Sequence, residues 1–190
     1  VQLCDALNTM GANIDGISTD KIIIEGVEEL QSADLDVIPD RIEAGTYLIA
    51  GAAMGEITLN YCNPNHLDVL IEKLIQAGAI IDTSENSISI KKANPINPVD
   101  VTTEVYPGFP TDLQAQWIAL MAIASGSSVV TDTVYHDRFT HIPELNRLGA
   151  NIELRDNIAK INGVDHLIGA PVMSTDIRAS AALILGAIMA

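Results

Sequence analysis

The sequence predicts an α/β (α+β) protein built from a repeated unit, with helices buried at its centre and mixed sheets outside them. Three observations predict it. An apolar helix that ends in Gly-Ala and runs into two short strands recurs three times. A second motif, an Asp opening a long helix rich in Ala and Gly, also recurs three times and alternates with the first. Finally, 48% of the 190 residues are hydrophobic but only 4% are aromatic, so the core has to be built from Ile, Leu, Val, Ala and Met.

The Gly-Ala motif occupies Leu3–Val27, Leu67–Ala93 and Ile142–Val164. Leu3 with Leu7, Leu70 with Leu74 and Leu145 with Leu148 stand at helical spacing and are expected to form the buried stripe. Gly11, Gly78 and Gly149 follow as the residues that stop each helix in the left-handed conformation. Ile22/Ile24, Ile88/Ile90 and Ile158/Lys160 beside Ile161 suggest strands covered on one side.

The Asp motif occupies Pro39–Gly55, Thr111–Gly126 and Thr175–Ala190. Asp40, Asp112 and Asp176 fall where a carboxylate meets the unpaired amides of a first turn. The small residues that follow let backbones approach closely, which puts helices 43–54, 113–125 and 178–189 in the interior. Strands are expected at 56–61, 100–104 and 128–133. Repeat units fall at about 36–96, 97–169 and 170–190, the last truncated. Residues 1–35 lack an Asp helix of their own and read as the tail of another domain, with 31–39 as the crossover. Val1 is not Met and Ala190 lies inside an apolar stretch, so both ends are expected to be cut.

Charge narrows the function. With 25 acidic and 10 basic residues the net charge is -15, a field that repels nucleic acid and acidic lipid. A phosphate-bearing ligand then needs a local exception made of a few Arg or Lys and backbone N–H groups. Cys4 and Cys62 have no spacing of a disulfide scaffold or metal site, and both read as core residues of a reduced, cytoplasmic protein. Every apolar stretch is interrupted before it could span a bilayer, so no membrane partner is expected. Glycine-rich phosphate loops and nucleophile elbows are absent.

Three clusters hold residues suited to chemistry. In Tyr106–Gln116, YPGFPTDLQAQ, two prolines bracket Gly108 and Phe109, making a rigid turn that leads into a helix start. Asp112 there reads either as a plain helix cap or as a preorganised carboxylate for proton transfer, and the Pro-Gly-Phe-Pro run is more than a cap needs. In Ser174–Ser180, Asp176 and Arg178 stand two residues apart at the mouth of an apolar helix. That spacing does not pair them on one helix face, so each is expected to meet a different partner. A planar guanidinium suits a carboxylate or phosphate, while a cap beside a surface arginine is the other reading. Asp40-Arg41 repeats the design, which fits a folding role as well. In Thr133–His141, TVYHDRFTH, Arg138 sits in a polar loop. His136 and His141 read as surface or turn histidines without a third ligand, so no metal is expected.

The strings YPGFPTDLQAQ, DRFTHIPELNRLGA (Asp137–Ala150) and TDIRAS (Thr175–Ser180) closely resemble the enolpyruvyl transferase family, in particular its members that act on UDP-N-acetylglucosamine. IPDRIEAGTYLIAGA (Ile38–Ala52) and MGANIDG (Met10–Gly16) extend the likeness over essentially the whole chain. PGFPTD followed by LQAQ is its most specific part.

The resemblance implies an inside-out α/β barrel of two domains, each with three repeated units around buried helices. Residues 1–35 then belong to the other, loop-bearing domain and 36–190 make most of the catalytic domain. It implies transfer of enolpyruvyl from phosphoenolpyruvate to the 3-hydroxyl of UDP-N-acetylglucosamine, by addition and elimination with release of phosphate and no cofactor. It implies that Asp112 is the general base, that the backbone of Val134 contacts the nucleotide sugar, and that Asp176 lies near the reacting group. Arg178 would help with anion binding or domain closure, and Arg138 and Arg41 would be ion-pair or closure residues. A mobile loop with its cysteine or aspartate, an early lysine and a late arginine would lie outside this chain. The remainder of a two-domain enzyme is therefore needed for a complete site.

Two departures make the region more acidic: Glu104-Val-Tyr106 precedes PGFPTD where members often have a Thr- or Ala-Pro-His-like run, and Asp137 replaces the usual Asn before Arg-Phe. A non-catalytic relative that keeps the fold and binds a sugar nucleotide is the alternative. The shikimate-pathway sister enzyme is a third reading, though its phosphorylated substrate calls for more Arg and Lys than this segment offers.

Overall fold

A computed structural model, which describes residues 1–174 and 176–190, divides the chain into two units, Val1–Pro39 and Asp40–Ala190. Thr175, the first residue of TDIRAS, lies outside the described residues.

The first unit consists of α1 (Gln2–Thr9) and an antiparallel hairpin of β1 (Asn13–Asp15) with β2 (Ile23–Glu25). Ile14 is its buried residue, and α1 has none. The expected stripe is therefore not buried here: Leu3 is 72% exposed, and Ile22 and Ile24 are exposed as well. One short helix and two three-residue strands present too little surface to cover an apolar face. Cys4, expected in a core, is only half-buried for the same reason.

The second unit runs α2 (Arg41–Met54), β3 (Glu56–Asn60), α3 (Asp68–Gln76), β4 (Ile80–Thr83), β5 (Ser87–Lys91), β6 (Val101–Thr103), α4 (Gln114–Met121), β7 (Ser127–Asp132), α5 (His141–Arg147), β8 (Asn151–Arg155), β9 (Ile158–Asn162) and α6 (Ile177–Ile188). An inner helix, a strand, an outer helix and a hairpin follow one another twice, as α2-β3-α3-β4-β5 and as α4-β7-α5-β8-β9. In both copies the last strand sits between the other two, giving the orders β3-β5-β4 and β7-β9-β8. These pairings are antiparallel; β6 joins the edge of β7 in parallel and makes the second sheet mixed.

All eight residues of α4 are buried, and α2 buries nine of its fourteen. A helix apolar on every side belongs in an interior, and α4 packs against both α2 and α6. The small residues make this possible: a Cβ on Gly45 would stand 2.5 Å from Cδ1 of Leu113. The buried Gln116 donates to Oγ1 of Thr46 on α2 at 3.1 Å. Around these helices the sheets turn one face inward. Ile88 and Ile90 are fully buried on β5. On β9 the inward positions are Ala159 and Ile161, whereas Ile158 is exposed. Helices inside and sheets outside agree with the predicted α/β class; a closed barrel is not visible among the described residues.

The three helix ends match in detail. Gly11, Gly78 and Gly149 have φ of 98°, 99° and 89°, and each donates its N–H back to a helix carbonyl at 2.9–3.0 Å. In the first and third copies an asparagine adds a clamp that the helix-end signals do not announce. Asn8 takes the amide and gives to the carbonyl of Ile14, and Asn146 does the same with Ile152, all four bonds lying between 2.8 and 3.1 Å.

One predicted helix is shorter than expected. Residues 111–113 form a separate 3-10 turn, and after Met121 the chain tightens into i→i+3 bonds at Ile123 and Ala124.

Candidate functional site

The turn before α4 is held by its aromatic residue. Phe109 is buried and meets Trp117 edge-on, ring centroids 5.6 Å apart. Glu104 N–H donates to the carbonyl of Phe109 at 2.9 Å and Gly108 N–H to that of Val105 at 2.9 Å. The chain thus folds back on the end of β6 and enters the 3-10 turn Thr111–Leu113 on fixed ground.

Asp112 rides on that turn. Its two possible roles separate here, because it caps nothing: the N-cap position of the 3-10 turn is Pro110 and that of α4 is Leu113, and neither turn has a side-chain cap. Its Oδ1 instead accepts Nη1 of Arg138 at 2.6 Å and Nε of Arg178 at 3.2 Å. Among the described residues, no hydrogen bond reaches its Oδ2. The carboxylate and both guanidiniums are partly accessible. Asp40 and Asp176 do act as caps. Asp40 accepts from the amides of Ile42 and Glu43, and Asp176 from those of Arg178 and Ala179. The two side chains therefore do not pair: the Asp176 carboxylate takes main-chain amides, that of Arg178 among them, while the Arg178 guanidinium goes to Asp112. The Asp176 carboxyl lies below its ordinary value. The Ala179 amide is the largest cause, partial burial opposes it, and the Arg178 amide and the charges of Arg138 and Arg178 assist.

Behind this group lies a residue that none of the three sequence clusters contains: Asp132, at the end of β7 and 0% exposed. Its Oδ1 accepts Oγ1 of Thr103 at 2.6 Å and the amides of Val134 and Tyr135 at 2.9 and 2.8 Å. Its Oδ2 accepts Oγ1 of Thr111 at 2.7 Å. Burial pushes the Asp132 carboxyl up, but the bonds from Thr103, Tyr135, Thr111 and Val134 outweigh it, and the group sits below its usual value. A signal was available: Ser128, Val130 and Asp132 share the inward face of β7, and a charge in an inward register demands partners.

His141 also departs from expectation. It is not a surface histidine but the first residue of α5, 1% exposed, with its ring 6.2 Å from that of Phe139. Burial takes its pKa down to about 4, against the charge of Asp176 and with that of Arg138. Its Nε2 is buried without a hydrogen-bond partner among the described residues. The helical spacing of Ile142 and Leu145 turns the start of α5 into the core, and His141 goes with them.

The remaining candidates are not all brought together. Val134 lies on the loop between Asp132 and Arg138, its amide held by Asp132. Arg41 stands over the Tyr106 ring, 5.1 Å from its centroid, and Arg138 also lies 5.5 Å from the centroid of Tyr135. The structure thus gathers Asp112, Arg138, Arg178 and the helix-capping Asp176, with Val134 on the loop before Arg138 and Arg41 on the Tyr106 ring of the turn. Two guanidiniums beside two carboxylates balance the charge locally in an acidic chain, and offer donors for an anion and a carboxylate for proton transfer. Among the described residues no three His, Cys, Asp or Glu side chains converge as metal ligands, and no helix is long and apolar enough to cross a membrane.

Comparison with known proteins gives the family of the chain. A family profile described as EPSP synthase (3-phosphoshikimate 1-carboxyvinyltransferase) matches residues 1–190. The chain is 51% identical over 189 residues to the UDP-N-acetylglucosamine 1-carboxyvinyltransferase of Chlorobium chlorochromatii (strain CaD3), covering 99% of this chain and 45% of that protein. It is 48% identical over 190 residues to the protein of the same name from Hydrogenovibrio crunogenus (strain DSM 25203 / XCL-2), covering 99% of this chain and 46% of that one. Among solved structures it is similar to the enolpyruvyl transferase NikO from Streptomyces tendae, with a TM-score of 0.81 and 26% identity over 96% of this chain and 44% of that one. The chain spans about 45% of the length of the curated relatives it matches. With a profile match along its full length and identities near one half, the chain belongs to the EPSP synthase family of enolpyruvyl (1-carboxyvinyl) transferases.

Proposed function

We propose that the protein carrying this chain transfers the enolpyruvyl group of phosphoenolpyruvate to the 3-hydroxyl of UDP-N-acetylglucosamine and releases phosphate. This is the committing step of peptidoglycan synthesis, in the cytoplasm. The observation that carries the reading is Asp112: a carboxylate delivered on a clamped turn, relieved of capping, and approached by two arginines through one oxygen. The names of the curated relatives supply the substrate class.

In this reading Oδ2 of Asp112 takes the proton of the sugar 3-hydroxyl as that oxygen bonds to C2 of phosphoenolpyruvate, while a general acid of the remaining part of the enzyme gives a proton to C3. The C2–O bond to phosphate then breaks, and phosphate leaves with the electron pair. C3 returns a proton to the same general acid to restore the double bond, and Asp112 releases its proton to solvent. A poorly acidic hydroxyl needs a base within hydrogen-bond reach, held in place before the substrate arrives. Arg138 and Arg178 supply cations for the carboxylate and phosphate of the donor. Asp176 stands near the reacting group, and Val134, its amide engaged, offers its carbonyl to the nucleotide sugar. Arg41 serves closure from its seat on Tyr106. The rest of a two-domain enzyme completes the cleft and contributes its loop, lysine and late arginine.

The test is phosphate release by the full-length protein given both substrates, with Asp112→Asn alongside. Release that depends on the sugar nucleotide and falls by about 100-fold or more in the variant is expected. A folded full-length protein that releases none would move the reading to a non-catalytic relative.

A further inference from the structure

The hydrogen bonds of Asp132 join three segments that the chain itself keeps apart. Thr103 ends β6, Thr111 opens the turn that carries Asp112, and Val134 and Tyr135 begin the loop that carries Arg138. The node is closed on its other sides as well. Thr133 N–H donates to Oγ1 of Thr103 at 3.1 Å, and Asp132 exchanges main-chain and side-chain bonds with Asn157 at 2.9 and 2.8 Å. Among the described residues, no cation lies within ion-pair distance of this carboxylate. A buried, unpaired negative charge is costly, and a fold that only needed to join strands could do so with neutral groups.

What distinguishes the node is its position. Thr111 is the chain neighbour of Asp112, and the loop that begins at Val134 ends in the arginine that binds Asp112. One carboxylate therefore holds both partners of the Asp112–Arg138 pair from behind, through charge-assisted hydrogen bonds from a hydroxyl on one side and two backbone amides on the other.

We infer that Asp132 is a positioning residue that sets the turn bearing Asp112 against the loop bearing Val134 and Arg138. The kinetic part of the inference rests on the transferase reading; the structural part does not. Thr111 links the node to the Asp112 turn alone, so cutting that link affects turnover more than sugar-nucleotide binding. Replacing Asp132 affects both.

The experiment uses the full-length protein with four variants, Thr111→Val, Thr111→Ser, Asp132→Asn and Asp132→Glu. It reads kcat and KM for each substrate, thermal melting, and amide hydrogen exchange at Val134 and Tyr135. Thr111→Val is expected to lower kcat about 10-fold or more, since displacement of a catalytic group by a fraction of an ångström is costly. Its sugar-nucleotide KM should stay within about 2-fold, and Thr111→Ser, which keeps the hydroxyl, should regain kcat. Asp132→Asn is expected to lower kcat about 10- to 100-fold and to raise the sugar-nucleotide KM. Its Val134 and Tyr135 amides should exchange about 10-fold faster while the melt stays cooperative. Asp132→Glu, which keeps the charge, should lie between Asn and the parent.

An unchanged kcat in Thr111→Val overturns the inference, and so does a loss shared equally by Thr111→Ser. A parent with no transferase activity overturns the functional reading instead. The exchange rates then decide: faster exchange in Asp132→Asn upholds the positioning role, and unchanged exchange removes it.

Discussion

Nε of Arg178 and Oδ1 of Asp112 are 3.2 Å apart across a separation of 66 residues, and Nη1 of Arg138 meets the same oxygen at 2.6 Å. Sharing one acceptor makes the two arginines a unit. Groups that act as a unit give non-additive losses. Arg138→Met and Arg178→Met are each expected to lower phosphate release roughly 100-fold. The double variant should fall well short of the product. Initial rates on the full-length protein check this, and a fully multiplicative loss would show that the shared oxygen has no functional consequence.

His141 makes stability depend on pH. Its folded value is about 4 against an ordinary 6.5, because burial disfavours the imidazolium, with Arg138 assisting and Asp176 opposing. Above 6.5 both folded and unfolded forms are neutral and the stability is whole. As pH falls from 6.5 towards about 4 the unfolded chain takes up the proton first, and the loss approaches roughly 3 kcal/mol. Urea unfolding at a series of pH values should show this slope in the parent and a shallower one in His141→Gln. Equal slopes would refute it.

Asp176 has the opposite linkage. Its folded carboxyl lies below the ordinary 3.8, so the stability it contributes is present above 3.8 and is lost as pH falls through the folded value. Asp176→Ala should cost about 1 kcal/mol at neutral pH, as loss of a helix cap does, with the difference from the parent closing in acid. The same change removes the charge that raises the His141 pKa. The His141 midpoint, followed by NMR, should therefore drop further below its usual range; an unmoved midpoint would mean that the two groups do not communicate.

Gly163→Ala is expected to be among the most destabilising single changes in the chain. A Cβ there would lie 1.8 Å from the carbonyl oxygen of Ala124, a main-chain atom that cannot rotate away. Gly163 also donates to Gly126 at 2.9 Å, and Val164 to Ala122 at 2.8 Å, so β9 is pinned against the end of α4. The cost should be about 3 kcal/mol or more. A melt within a degree or two of the parent would contradict the close approach.

Much of the fold was legible in the chain because its signals are local. Gly78 and Gly149 stop helices, Asp40 and Asp176 cap them, and Ile88 and Ile90 alternate towards the core. Each depends on residues within one or two turns of itself. The same reasoning failed at Leu3, because periodicity marks a face for burial and cannot say whether anything covers it. It left Asp112 with two readings, helix cap or preorganised carboxylate, and a one-turn 3-10 segment that no residue type announces removes the first.

The three-fold Asp helix, its small-residue body and the clamped turn before Asp112 could all be read in the order of the amino acids, since turn chemistry, capping and helical period act between chain neighbours. That Asp112 binds Arg138 and Arg178, and that Asp132 holds Thr103, Thr111 and the Val134 amide together, followed only from packing. Hydrogen bonds are short and directional, and apart from the local Val134 amide the groups that make these lie 21 to 66 residues apart. Only the fold that stacks α4 on α6 and closes β7 against β6 brings them within reach.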